Sequence, residues 1–120
     1  MRRTGPTNYV WRKTIRVLIK ASKDNNAPIW RYVAELLSRP SRRRVVVNLS
    51  KINRYSKEGD IIVVPGKVLG CGELNHRVTI GAMAFSMQAV EKIKKAGGRI
   101  MHILELVKEN PKGSRVKIII

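Results

Sequence analysis

Cys71 and His76 stand close together in the chain, and a thiolate beside an imidazole is a competent nucleophile pair. Such a pair needs a third group to orient the base, and no residue nearby is distinctive for that role. One Cys and two His, at positions 71, 76 and 102, do not complete a four-ligand zinc site without carboxylates. The 8 acids are scattered, with no evident close pair for general acid–base work. The run Gly66-Lys-Val-Leu-Gly-Cys-Gly72 invites a nucleotide-binding reading. A phosphate-binding Walker loop needs Ser or Thr after its Gly-Lys pair, and Val68 follows Lys67. A dinucleotide fingerprint needs a glycine three residues after Gly72, where Asn75 stands. Tight turns between strands are the stronger expectation, although glycine turns also expose amides that phosphate can approach. An enzyme is disfavoured.

The chemistry that remains is cationic. Arg42-Arg43-Arg44 is a phosphate clamp, a nuclear address or a solvated connector, and guanidinium forks meet phosphate oxygens two at a time. Arg2 and Arg3 add to it from an N-terminal arm. Lys51-Ile52-Asn53-Arg54-Tyr55 alternates polar and apolar groups: Asn53 can meet a base edge or a 2′-hydroxyl, and Tyr55 can stack. A local turn cap with a half-buried tyrosine explains the same residues equally well.

These residues need elements to hold them. Residues 1–8, with Gly5 and Pro6 and no apolar period, predict an extended arm, with Thr7 or Asn8 capping a helix over 9–23. Trp11, Ile15, Leu18, Ile19 and Ser22 predict its inward face, and Arg12, Arg16, Lys20 and Lys23 its basic stripe. A second helix is expected from Pro28 to Ser38, burying Ile29, Trp30, Val33, Leu36 and Leu37. Val45–Val47 and Ile61–Val64 read as strands, the latter closed by Pro65-Gly66. A turn or short helix lies between them. Residues 77–85 alternate as a strand with Val78, Ile80, Ala82 and Ala84 on one face. Ser86 predicts the cap of a third long helix, with Val90 and Ile93 inward, ended by Gly97-Gly98. A short strand over 99–101, a helix over 102–109 and a strand over 115–120 complete a mixed α/β domain.

Among 120 residues, 25 Lys and Arg against 8 Asp and Glu leave a net charge of +17. It is uneven: residues 1–57 hold 15 bases and two acids, residues 58–120 hold 10 bases and six. A compact domain so charged repels itself unless a polyanion neutralises it. With 43% hydrophobic residues the chain is no disordered basic tail, and its core must be aliphatic, since it has only two Trp, three Tyr and one Phe. The lone Cys71 suits a reducing compartment, and the sequence shows no apolar run of membrane-spanning length and no signal peptide.

A strand surface with only Phe85 is unlike the aromatic platforms of single-strand readers, and no recognition helix stands out in the helical pair. Folded RNA gripped by its phosphates fits better than an anionic membrane against an amphipathic helix. The rivals are an architectural DNA-binding chromatin protein and a nucleotide-dependent enzyme.

Val47-Asn48-Leu49-Ser50-Lys51-Ile52-Asn53-Arg54 and Val64-Pro65-Gly66-Lys67-Val68-Leu69-Gly70 carry a family likeness. Thr4-Gly5-Pro6-Thr7-Asn8, Ala27-Pro28-Ile29-Trp30, Ala96-Gly97-Gly98 and Asn110-Pro111-Lys112-Gly113 extend it, in order, over nearly the whole chain. The sequence resembles the archaeal–eukaryotic family of large-subunit ribosomal protein eighteen. Residues 78–98 also resemble the C-terminal half of ribosomal protein fifteen. The resemblance implies an α/β fold of irregular β-β-α superhelical turns behind an N-terminal helical extension. The corresponding division is a basic arm and two helices over 1–40 and a mixed α/β core over 41–120. It implies a non-enzymatic protein without cofactor or metal, binding large-subunit ribosomal RNA beside neighbouring ribosomal proteins in the cytoplasm. The chain stops without the long basic extension of eukaryotic members, which suggests an archaeal form. The basic and polar residues of the arm, stripe, connector and matched motifs are the expected RNA-binding set: Arg2, Arg3, Asn8, Arg12, Arg16, Arg42, Arg43, Arg44, Lys51, Asn53, Arg54, Lys67 and Lys112.

Overall fold

β-Branched runs alternate with short helical segments through most of the chain, a pattern that builds a parallel sheet with helices on both faces. The computed structural model describes residues 9–40 and 44–120. Two helices come first, α1 (Tyr9–Asp24) and α2 (Pro28–Leu37). They are followed by β1 (Val45–Asn48), α3 (Leu49–Tyr55), β2 (Ile61–Leu69), β3 (Thr79–Phe85), α4 (Met87–Lys95), β4 (Arg99–His102), α5 (Ile103–Glu109) and β5 (Val116–Ile118). Strands β1 to β4 lie side by side in chain order, and every pairing is parallel. The mixed α/β expectation holds.

β2 departs from the expected pattern in a telling way. The strand does not close at Pro65-Gly66 but runs through it to Leu69. β3 occupies one edge of β2 along Ile61–Val68, so β5 and β1 share the other edge end to end. β5 pairs with Ile61–Val63, and Ile119 N–H donates to Val63 O at 3.1 Å; β1 begins opposite Gly66. Pro65 falls at the joint between them, where a missing N–H interrupts neither ladder. The β2–β3 register also shifts between Val64 and Lys67, so Ala84 pairs with Lys67 and is exposed, whereas Val78, Ile80 and Ala82 are buried.

Two cores flank the sheet. One joins Val45, Val47, Ile62, Val64, Val68, Ile80 and Ala82 to Leu49 and Ile52 of α3 and Ala89 and Ile93 of α4. The other joins Val63 and Met101 to Leu18, Trp30, Val33 and Leu37 of α1 and α2, and to Ile103, Leu106 and Val107 of α5. The buried line of α1 is Thr14, Leu18 and Ala21, rotated from the expected face, and Ile19 is exposed. Thr14 can occupy that line because its hydroxyl donates to Val10 O at 2.7 Å. On α4 the innermost pair is Ala89 and Ile93, with Val90 only half-buried. Ser86 caps α4 as expected, its Oγ accepting from Ala89 N–H at 3.1 Å.

Motifs distant in sequence meet at the start of α2. Trp30 is fully buried and its Nε1–H donates to Pro111 O at 2.7 Å. Asn110 closes the same turn: its Oδ1 accepts from Ser114 N–H at 3.2 Å and its Nδ2–H donates to Ser114 O at 2.8 Å. Gly113, at φ +66, leaves room for Ile29, whose Cγ2 lies 2.5 Å from where a Cβ would stand. The Ala27–Trp30 and Asn110–Gly113 motifs are therefore a tertiary clasp. Trp30→Phe removes the donor and leaves a cavity in place of the pyrrole half of the indole, and chemical denaturation should show a loss of about 2–4 kcal/mol.

His102 caps α5. Its Nδ1 accepts from Leu104 N–H at 3.1 Å, and Glu105 Oε1 accepts from His102 N–H at 2.9 Å. Burial depresses the imidazole below its ordinary 6.5, against an opposing pull from Glu105. The unfolded chain therefore takes up this proton first as pH falls. The cap's contribution is complete above about pH 6.5 and is lost as pH drops through the folded value. His102→Asn keeps an N-cap that does not titrate. The stability advantage of the wild type over it should shrink between pH 7 and 5, read by urea unfolding at each pH.

Candidate nucleic-acid interface

α1 forms because its inward residues recur with helical spacing while Arg12, Lys13, Arg16, Lys20 and Lys23 stay exposed on the other side. Steps of four residues set Arg12, Arg16 and Lys20 about 6 Å apart along the axis. Lys20 faces Asp24 at 3.9 Å, but no carboxylate of the described residues lies within ion-pair distance of Arg12, Lys13 or Arg16. The other pairs are Arg77–Glu58 at 3.6 Å, Arg99–Glu109 at 3.1 Å and Lys117–Asp60 at 2.9 Å, all outside the N-terminal helices. Asp60 is held below the ordinary carboxylate range, chiefly by its hydrogen bond from Lys117. Three acids of the second half, Glu58, Asp60 and Glu109, thus have cationic partners at hand, and most bases of α1 keep their charge open.

The remaining expected residues take different positions. Arg44 is half-buried, its guanidinium 4.2 Å from the centroid of the Trp11 ring, while Trp11 Nε1–H donates to Leu37 O at 2.8 Å. Arg44 Nε is buried with no hydrogen-bond partner. Lys67 is exposed in the row where β1, β2 and β3 pair. Lys51, on α3, donates from Nζ to Ile120 O at 2.5 Å. Asn53 Oδ1 accepts from Asn75 N–H at 3.0 Å, so the side chain holds the loop after β2. Arg54 lies 5.7 Å from the centroid of the exposed Tyr55 ring. Lys112 is exposed on the clasp turn. Arg2, Arg3, Asn8, Arg42 and Arg43 lie outside the described residues.

The set does not gather on one face. Arg12, Arg16 and Arg44 belong to the side covered by α1 and α2, while Lys51, Asn53 and Arg54 ride on α3 against the opposite core.

The glycine turn proves to be packing. A Cβ on Gly70 would stand 2.7 Å from Gln88 Cβ, and one on Gly72 would stand 2.5 Å from Ser50 Cβ. Lys92, unremarked in the sequence, donates from Nζ to Gly70 O at 2.8 Å and to Gly72 O at 2.7 Å. Nothing short of the fold pairs Lys92 with that turn. His76 Nε2 meets the buried Ser56 Oγ at 2.7 Å, and Cys71 is exposed. Among the described residues no cluster of three or more His, Cys, Asp or Glu could hold a metal, and no helix is long and apolar enough to cross a membrane.

The fold is thus a parallel α/β sheet with an open cationic helix face and glycines used for packing. A family model described as ribosomal proteins 50S-L15, 50S-L18e and 60S-L27A matches residues 29–101. Similar curated proteins are each named large ribosomal subunit protein eL18. That of Pyrobaculum aerophilum is 49% identical over 98% of this chain and 96% of its own length. The Methanococcus maripaludis protein is 47% identical over 98% of both, and that of Archaeoglobus fulgidus is 48% identical over 100% of both. The chain belongs to the large ribosomal subunit protein eL18 family.

Proposed function

We propose that this protein is a structural constituent of the cytoplasmic large ribosomal subunit that binds and stabilises folded ribosomal RNA. The carrying observation is the α1 face, where Arg12, Lys13 and Arg16 have no carboxylate at ion-pair distance among the described residues. Phosphates supply what the fold withholds, and each cation that meets one releases a condensed counterion. Arg44 and Lys67 extend this surface, and Arg2, Arg3, Asn8, Arg42 and Arg43 reach RNA from the arm and connector. Lys51, Asn53 and Arg54 serve a second contact area on α3, where neighbouring ribosomal proteins or other RNA segments meet the particle, and Lys112 contributes separately from the clasp turn beside α2. No step of this role uses a cofactor or small-molecule substrate. Native lysate run on a high-salt sucrose gradient, with and without ribonuclease, tests the role. The chain should sediment with the large subunit and leave that position when RNA is digested. A chain that stays at the top of both gradients contradicts it.

A further inference from the structure

Val46, Lys67 and Ala84 are partners across β1, β2 and β3, and all three are exposed, Val46 by 55%. Their neighbours Val47 and Val68 are buried and Phe85 is half-buried, all three against the core shared with α3 and α4. Side chains alternate along β1 and β2, and past the register shift between Val64 and Lys67 Ala84 pairs with Lys67 and Phe85 with Val68. The exposed row therefore points away from that core, toward the side that carries α1, α2 and α5. Those helices cover the beginning of the sheet, through Ile61, Val63, Val116 and Ile118, and leave this row at its carboxyl end bare. Ligands of parallel α/β sheets commonly meet the carboxyl ends of the strands.

The chemistry of the row selects its occupant. Two methyl-bearing side chains flank a lysine that has no carboxylate partner among the described residues. Lysine is depleted from the centres of protein–protein interfaces, where an unpaired ammonium would be desolvated at a loss. A polyanion reverses that cost. Two residues before Val46, on the same side of β1, Arg44 lies on Trp11 with an Nε–H that has no acceptor. Three strands span only about 10 Å from first to last, a width that seats one nucleotide strand, whereas a duplex meets it at a tangent.

We infer that the row Val46–Lys67–Ala84 seats a single, unpaired ribosomal RNA strand, with sugar or base faces on the methyl groups of Val46 and Ala84 and a phosphate on Lys67. This rests on the RNA-binding role proposed above and names the part of the surface that takes a strand rather than a helix.

The full chain is titrated with large-subunit ribosomal RNA as wild type, as Val46→Glu/Ala84→Glu and as Lys67→Gln, with thermal unfolding of each. The acidic pair should bind about tenfold or more weaker while unfolding near the wild-type temperature. Lys67→Gln, which leaves the floor untouched, should lower the log–log salt slope by about one unit or less. A benzophenone amino acid in place of Val46 should cross-link to RNA. Wild-type affinity and slope in both variants, with an α1 variant still weakened, would overturn the strand seat and leave RNA binding standing. So would a cross-link only to protein, this chain included. A wild-type chain without affinity for the RNA would overturn the role beneath both.

Discussion

Gly66→Ala should lose about 3 kcal/mol or more of folding stability, read as a fall of about 10 °C in Tm. A Cβ at this position would stand 2.0 Å from Val45 O and 2.8 Å from Val45 C, both backbone atoms of the partner strand. Neither can rotate away, so β1 must separate from β2. Separation takes with it Val45 and Val47, and loosens Leu49 and Ile52 of α3, all members of one core. Gly59→Ala is the control. That glycine has φ +85 but nothing within 4 Å of the added carbon, so only the left-handed backbone is strained, at about 1–2 kcal/mol. Equal losses at the two positions would show that close strand approach is not what Gly66 provides.

The second large effect is on binding. Replacing Arg12, Lys13 and Arg16 together with Gln should weaken binding to large-subunit ribosomal RNA about a hundredfold near physiological salt. It should also reduce the steepness of the log–log salt dependence by about two to three units. Gln is nearly as good a helix former as Arg and Lys, and the three side chains are exposed, so Tm should move little. A titration at four salt concentrations checks both numbers. Weakened binding with an unchanged slope would mean that the residues act by shape and not by neutralising phosphates.

Much of the element order was legible because its signals are local. Pro28 at a helix start, Ser86 as a cap and Gly97-Gly98 as a stop each act within a few residues, and each stands where expected. What escaped depends on partners far along the chain. Pro65-Gly66 looks like a stop until the joint between β5 and β1 shows why a proline and a glycine fit inside β2. Ile19 looks inward on hydropathy, yet Thr14 takes the buried line by satisfying its own hydroxyl on Val10. Basic residues could be named as a population from charge alone. Their division between two sides of the sheet could not, because it follows from which core α1 and α3 join. Asn53 illustrates the limit: its type suits a base edge, while its carbonyl is occupied by Asn75 N–H. Several family motifs likewise proved architectural, since Trp30 joins two of them in one clasp.

The central claim is that this chain uses its open cationic surface to hold folded ribosomal RNA. The most direct measurement is competitive binding of the purified full chain to large-subunit ribosomal RNA and to duplex DNA of equal charge, at matched salt. The account predicts tighter binding to the ribosomal RNA, with the preference reduced by the Arg12, Lys13 and Arg16 substitutions. Equal or tighter binding to duplex DNA, unaffected by those substitutions, would contradict it.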